Sequence, residues 1–117
     1  MIQVSGINHI VLHVRELARA KKFYTELLGF DVYRENSWQV FMHCGSQGVA
    51  LFEAQGHTPV TAGNDLNHLA LDITSRTYDT VKAELEQHGV KVSGRPGDEH
   101  CIYFHDPDGH RLQLMIH

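Results

Sequence analysis

The chain has 117 residues, of which 42% are hydrophobic and 21% charged, so it is long enough for one core and ordinary in composition. Its net charge of −4 with neutral histidines gives no electrostatic basis for binding nucleic acid or an anionic membrane. No apolar run approaches the roughly 20 residues that cross a bilayer. The opening segment MIQVSGINHIVLHV lacks the basic start of a secretion signal and is typical of a strand. We therefore expect a single cytoplasmic domain over residues 1–117, with no nucleic-acid or membrane partner.

The cysteine and histidine content bears on the redox state of the thiols and on metal binding. Cys44 and Cys101 lie inside apolar segments and form no CxxC pair, which predicts buried thiols in a reducing compartment. The ten histidines make metal binding worth testing, and they also make chance coincidences of position more frequent.

An internal repeat organises the chain. Segment 7–14, INHIVLHV, aligns with segment 66–73, LNHLALDI, so that His9 and His68 are equivalent. Both segments alternate apolar and polar residues, as strands with one packed face do. A stretch with two glycines, a proline and two threonines separates the halves. We predict repeat 1 at about 7–54, a linker at 55–65, and repeat 2 at about 66–117.

Each repeat predicts the order βαβββ. The first helix should run over 16–28 and end at Gly29, and the second over 77–88, capped by Ser75 or Thr77 and ending at Gly89. The strands that follow the helices are predicted at 30–34, 38–44 and 49–53, then at 90–93, 101–105 and 111–116. One module is too small to bury both its sheet and its helix. The two helices should therefore pack on one side of a combined sheet, in an α+β fold whose other face is open or covered by a partner.

Ligand-type side chains recur on the predicted open face. Alternation places His9 on the first strand, Glu53 on the fourth, His68 on the fifth and Gln113 on the last. Glu53 and Gln113 are themselves repeat partners. Imidazoles with a carboxylate suit Zn, Mn, Fe, Co or Ni. A half-buried polar residue on a strand explains a histidine equally well, so periodicity alone leaves both interpretations open.

Four segments carry a family resemblance that covers essentially the whole chain. They are 7–10 (INHI), 23–30 (FYTELLGF), 67–71 (NHLAL) and 106–112 (DPDGHRL). Together they resemble the vicinal oxygen chelate superfamily: glyoxalase I, thiol-transferring fosfomycin-resistance enzymes, extradiol dioxygenases and bleomycin-binding proteins. The resemblance implies two βαβββ modules forming a cupped mixed sheet with the helices on its outer face. It also implies one divalent metal held by His9, Glu53, His68 and Gln113, a small oxygen-rich substrate, and a homodimer.

The fosfomycin-resistance group is the most similar branch. Segment 102–111, IYFHDPDGHR, is similar to its last hairpin and segment 5–9, SGINH, to its opening. Val11 departs from that group's substrate-binding threonine, and Gln113 departs from its glutamate ligand. Gln113 also weakens the interpretation as glyoxalase I, because an amide oxygen can ligate a metal but an amide cannot act as a general base.

Several functions remain open on these residues. If Glu53 ligates, two histidines and a carboxylate form the set typical of non-heme Fe(II) oxygenases. If Glu53 is instead the base, the metal keeps two histidines and an amide, which is a poorer site. The resemblance implies a metal-dependent lyase, thiol transferase or dioxygenase, with Glu53 and Gln113 in catalytic roles. The alternative is a metal-free protein that sequesters a flat ligand, as bleomycin-binding members do.

Substrate-binding side chains are also predicted on the open face. Arg111 is the best candidate for an anionic group, because it lies two residues from Gln113 on one strand. Aromatic residues on strands commonly serve packing alone, so each predicted substrate-binding residue has packing as its alternative role. The predicted substrate-binding residues are Trp38, Phe41, His43, Tyr103, His105 and Arg111.

Overall fold

The computed structural model describes residues 1–55 and 60–117. The predicted linker at 55–65 therefore falls partly outside the described residues, at 56–59. The chain forms two compact units, Met1–Val60 and Thr61–His117. Among the described residues, no helix combines the length and the apolar character that crossing a bilayer would require.

The first unit is a four-stranded mixed sheet with one helix. Strand β1 runs parallel to β4, while β3 pairs antiparallel with both β4 and β2, giving the order β1-β4-β3-β2. Its elements are β1 (His9–Val14), α1 (Leu17–Lys22), a π-helical turn (Phe23–Leu27), β2 (Asp31–Glu35), β3 (Gln39–Cys44) and β4 (Gln47–Glu53). The helix packs on β3 and β4. The buried core includes Leu12, Val14, Val40, Met42, Val49, Ala50 and Leu51 from the strands, with Ala20 and Tyr24 from the helical segment and Phe30 after it.

The first helix covers 17–27, one residue shorter at each end than the predicted 16–28, and its geometry is not uniform. Its last turn is π-helical, and the Thr25 hydroxyl donates to the Lys21 carbonyl at 2.8 Å. Such a side-chain bond competes with the regular backbone ladder. Gly29, with a φ of 73°, then ends the helix, as predicted, in a conformation that favours glycine.

The second unit is a three-stranded mixed sheet with one helix. Its elements are β5 (Leu69–Ile73), α2 (Tyr78–Gln87), β6 (Cys101–His105) and β7 (Arg111–Ile116). Strand β7 is central, parallel to β5 and antiparallel to β6. The helix packs against β6. The buried core comprises Val81, Leu85, Ile102, Phe104, Leu112, Leu114 and Ile116.

Helix α2, Tyr78–Gln87, is one residue shorter at each end than the predicted 77–88. Thr77 is its N-cap, and Thr77 and Thr80 form a reciprocal capping box. Ser75, the alternative cap, has a φ of 61° and lies before the helix. Gly89 follows the last turn with a φ of 75°.

The strand predicted at 90–93 is wrong. Only Ser93 pairs, through an isolated bridge to Tyr103 with backbone hydrogen bonds of 2.9 and 2.8 Å. A tight turn follows at once, because the Asp98 amide donates to the Arg95 carbonyl across Gly97, whose φ is 78°. The chain therefore leaves the sheet after a single bridge.

Candidate functional site

The two repeat-equivalent histidines are held in the same way. His9 begins β1, and His68 directly precedes β5. The Nδ1 atom of His9 lies 2.7 Å from the Asn8 Oδ1, and that of His68 lies 2.8 Å from the Asn67 Oδ1. An amide oxygen only accepts hydrogen bonds, so this contact favours, for the neutral ring, the tautomer with its proton on Nδ1 and its lone pair on Nε2. Each unit therefore presents one imidazole nitrogen in the form that ligates a metal.

Glu53 does not lie on the face predicted for it. In the parallel β1–β4 pair, His9 is opposite Gly48 and Val14 is opposite Glu53, and directly paired residues share a face. Val14 is fully buried, so Glu53 lies on the buried face of this strand pair. Its Oε2 accepts a hydrogen bond of 2.9 Å from the Leu17 amide at the start of α1. The prediction that Glu53 faces the same way as His9 is therefore wrong, and its carboxylate caps the helix.

Phe52 takes the place on β4 that was predicted for a ligand. It pairs with His13 across the β1–β4 ladder, and the two rings make an edge contact with centroids 6.4 Å apart. The other residues of β4 on this face are Gly48 and Ala50. Strands β1 and β4 thus bring His9 and His13 to their open face and no carboxylate.

Aromatic rings cover the rest of this open face in the first unit. The ring centroids of Phe41 and Phe52 are 5.8 Å apart. The ring centroid of Trp38, just before β3, is 5.4 Å from that of Phe52. His43 stacks on Tyr33 with centroids 4.1 Å apart. Three residues predicted for substrate binding, Trp38, Phe41 and His43, therefore belong to one partly exposed aromatic surface.

In the second unit, two arginines and a histidine surround Tyr103. The Arg111 guanidinium carbon lies 4.1 Å from the centroid of the Tyr103 ring. The His68 ring meets the Tyr103 ring edge-on, with the two centroids 6.1 Å apart. Arg95 donates a 3.0 Å hydrogen bond to the Tyr103 hydroxyl, which raises the pKa of the guanidinium above its ordinary value. Arg95 therefore keeps its full charge at any physiological pH. His105, opposite Arg111 across β6–β7, is on the same face.

Gln113 shares that face and is 5% exposed. It lies opposite Ala70 on β5 and Tyr103 on β6. Its Nε2 donates to the Cys101 Sγ at 2.9 Å, which leaves the amide oxygen as the atom available to a metal. The predicted orientation of β7 is thus the observed one.

Both cysteines are free thiols, as predicted. Cys101 is buried, and Cys44, at the end of β3, is half-buried. Burial raises the pKa of the Cys44 thiol, because desolvation disfavours the thiolate. Cys44 is therefore a poor nucleophile in this fold.

The donor types on these faces suit a divalent ion, although a carboxylate is missing. Within the described ranges, no three His, Cys, Asp or Glu side chains are grouped in a way that would hold an ion. With Glu53 on the packed face, the predicted set is reduced to His9 in the first unit and to His68 and Gln113 in the second. Two imidazoles and an amide oxygen are donor types that divalent transition ions accept. By donor type alone, these side chains suit such an ion, with less charge neutralisation than a carboxylate would give.

Sequence reasoning missed three residues of these surfaces. Phe52 was overlooked because the face assigned to β4 was the wrong one. Cys101 alternates with Tyr103 and His105 along β6, so the strand pattern could have placed it beside Gln113. Arg95 lies in a loop, and no sequence pattern indicated that it reaches the Tyr103 hydroxyl.

Known proteins resemble this chain along nearly its whole length. The profile of the Glyoxalase/Bleomycin resistance protein/Dioxygenase superfamily matches residues 6–114. A glutathione transferase FosA of Serratia marcescens is 30% identical over 116 residues, which cover 97% of this chain and 82% of the relative. A metallothiol transferase FosB of Staphylococcus epidermidis is 30% identical over 115 residues, 95% of this chain and 83% of the relative.

Solved structures confirm the α+β fold class. The fosfomycin resistance protein FosX of Listeria monocytogenes aligns with a TM-score of 0.81 at 24% identity, covering 98% of this chain and 95% of that protein. The trypanothione-dependent glyoxalase I of Leishmania major also gives a TM-score of 0.81 at 24% identity, covering 97% and 87% of the two chains.

Proposed function

Because the chain belongs to the glyoxalase, bleomycin resistance protein and dioxygenase superfamily, we propose that it is a metal-dependent enzyme acting on a small, oxygen-rich anion. The observation that carries the proposal is the pair of equivalent Asn–His contacts. A histidine kept only for packing has no need of a fixed tautomer, whereas a metal ligand requires one ring nitrogen free of its proton. The same device in both repeats favours ligation.

The ligands that we assign are His9, His68 and Gln113. When bound, a divalent ion would polarise vicinal oxygens of the substrate as a Lewis acid. All three donors are neutral, so the protein leaves the charge of the ion uncompensated. We expect this to lower metal affinity and to strengthen the polarisation of a bound oxygen.

The cluster around Tyr103 supports an anionic substrate. Among residues 1–55 and 60–117, no carboxylate forms an ion pair with Arg111, which lies on the Tyr103 ring. A guanidinium without an acidic partner, fixed on an aromatic face, offers paired N–H donors to a carboxylate, phosphate or phosphonate. Gln113 lies beside Tyr103 on the same face, so this anion site would lie next to the proposed ligand.

The donor set also favours one reaction class over others. Gln113 cannot remove a proton, and the Glu53 carboxylate is engaged with the start of α1. Reactions that need a carboxylate base at the metal are therefore disfavoured. A dioxygenase is disfavoured too, because its metal is held by two histidines and one carboxylate. We propose addition of an external nucleophile, a thiol or water, to a polarised substrate. The names of FosA, a glutathione transferase, and of FosB, a metallothiol transferase, agree with that class.

Matched histidine variants test the metal assignment. Metal-free His9→Ala and His68→Ala would be titrated with Co²⁺ beside His13→Ala and His105→Ala, which alter the same open faces. Glu53→Gln is the control for the helix-capping carboxylate. We expect His9→Ala and His68→Ala to weaken Co²⁺ binding by roughly tenfold or more, and the other three variants to bind as wild type does. Equal affinity in all variants would refute the assignment.

Metal-free sequestration is the second candidate, and the aromatic surface of the first unit favours it. Phe41, Phe52 and Trp38 provide ring faces and edges suited to a flat ligand. If wild type binds no Co²⁺ in the titration above but retains flat aromatic ligands, this second function replaces the first.

A further inference from the structure

Cys101 and Gln113 form a polar pair inside the second unit. Cys101 begins β6, is 1% exposed, and shares the face of Gln113, which is 5% exposed. The pair is diagonal across the β6–β7 ladder, where Cys101 is opposite Met115 and Tyr103 is opposite Gln113. The Gln113 Nε2 donates to the Cys101 Sγ at 2.9 Å.

The orientation of an amide ligand matters in a way that a carboxylate's does not. A carboxylate ends in two equivalent oxygens, and either one can bind a cation. An amide ends in one oxygen, which can ligate, and one NH₂ group, which carries partial positive charge and repels a cation. A glutamine that ligates a metal therefore gains from a neighbour that holds its NH₂ group away from the ion.

We propose that Cys101 is the positioning residue for the Gln113 amide, holding it so that Oε1 rather than Nε2 is offered to the metal. This inference rests on the proposed function, in which Gln113 is a ligand. The Sγ atom accepts a hydrogen bond from the NH₂ group of Gln113. The Oε1 atom is then the end of the amide that remains free to ligate the metal. The Tyr103 hydroxyl, on the residue opposite Gln113, is already engaged by Arg95 at 3.0 Å. A neutral thiol also orients the amide without adding the negative charge that this donor set lacks.

A double-mutant cycle on Co²⁺ affinity tests the inference. The metal-free proteins are wild type, Cys101→Ala, Gln113→Glu and the double variant, each titrated with Co²⁺ by visible absorption and calorimetry. In the wild-type background we expect Cys101→Ala to weaken binding roughly tenfold, the usual effect of removing a group that orients a ligand. In the Gln113→Glu background the same change should alter affinity by less than about twofold, because a carboxylate has no NH₂ end to turn away.

A conservative variant separates orientation from packing. Cys101→Ser keeps an acceptor of similar size, so its Co²⁺ affinity, with Gln113 intact, should stay closer to wild type than that of Cys101→Ala. Thermal unfolding of each metal-free protein checks that all variants are folded. An equal loss of affinity from Cys101→Ala in both backgrounds, or no loss in either, overturns the positioning role.

The cycle also distinguishes failure of this inference from failure of the proposed function. If Gln113→Glu does not tighten Co²⁺ binding, residue 113 is not a ligand, and the ligand assignment fails together with the inference. If Gln113→Glu tightens binding but the two backgrounds respond alike to Cys101→Ala, only the role of Cys101 is overturned.

Discussion

At residue 113, an amide stands where the family resemblance implies a carboxylate. Gln113 is buried on the face that also carries His68 and Tyr103. A nearly isosteric exchange of Gln for Glu changes the charge at the proposed metal and leaves the packing almost unaltered. This one side chain therefore affects metal affinity, Lewis acidity and the supply of a base.

We predict that the wild-type protein has negligible glyoxalase I activity and negligible fosfomycin thiol-transferase activity. The first follows from the missing carboxylate at residue 113, because an amide cannot shuttle a proton. The second follows from Val11, which stands where the fosfomycin-resistance group has a substrate-binding threonine. Gln113→Glu should bind a divalent metal more tightly, since an anionic oxygen attracts a cation more strongly in a partly desolvated site. If the amide is tuned for the native reaction, that variant loses native activity while it gains affinity.

Assays of both reactions on metal-loaded wild type, beside assays of Gln113→Glu, check this prediction. Efficient turnover of the glyoxalase I substrate by the wild type would contradict the weight that we give to Gln113, and efficient thiol transfer to fosfomycin would contradict the weight that we give to Val11.

Individual residues also show where sequence reasoning succeeded and where it failed. On β1 and β7, polar and apolar residues alternate, so the faces of His9 and Gln113 could be predicted correctly. On β4, the run Val-Ala-Leu-Phe is apolar throughout, so its sequence does not indicate which residues lie on the buried face and which on the open face. Only the pairing with β1 reveals that Phe52, and not Glu53, lies on the open face.

At the scale of elements, the close approach of β1 and β4 depends on Gly48. A Cβ at this residue would lie 2.9 Å from the Asn8 carbonyl oxygen and 2.9 Å from the His9 Cβ. Neither neighbour is the far end of a flexible side chain. Glycine at this place therefore lets β1 approach β4 closely at the residue that bears the first proposed ligand.

We predict that Gly48→Ala destabilises the protein by about 1–3 kcal/mol, the usual penalty of overpacking, and weakens metal binding by displacing His9. Urea unfolding and a Co²⁺ titration measure the two effects. Gln47→Ala, an exposed substitution on the same strand, is the matched control and should change neither quantity. A Gly48→Ala protein as stable as wild type would contradict the observed β1–β4 approach.

Elements with strong local signals were predictable, and those fixed by loops were not. The capping threonine and the terminating glycine delimited α2 because both act within one turn. The strand expected at 90–93 failed because β propensity says nothing about how long two segments stay adjacent. The turn at Arg95–Asp98 ends the pairing after Ser93.

For the whole molecule, we expect self-association, because several apolar residues are exposed. Ile2, Val4 and Ile7 are 93%, 84% and 66% exposed, and Trp38 is 40% exposed. Such surface is costly to leave in water and commonly marks an interface. We predict a homodimer, which light scattering at micromolar concentration would detect. A monomer under those conditions would defeat the prediction.

The most direct measurement of the central claim is elemental analysis of the wild-type protein purified without chelators. The proposed ligands His9, His68 and Gln113 predict about one divalent transition ion per folded chain, and removal of the ion should lower the thermal unfolding midpoint, because the metal binds only the folded state. A wild-type protein that contains no such ion, takes none up from a stoichiometric supply, and unfolds at the same temperature with and without chelator would contradict the account.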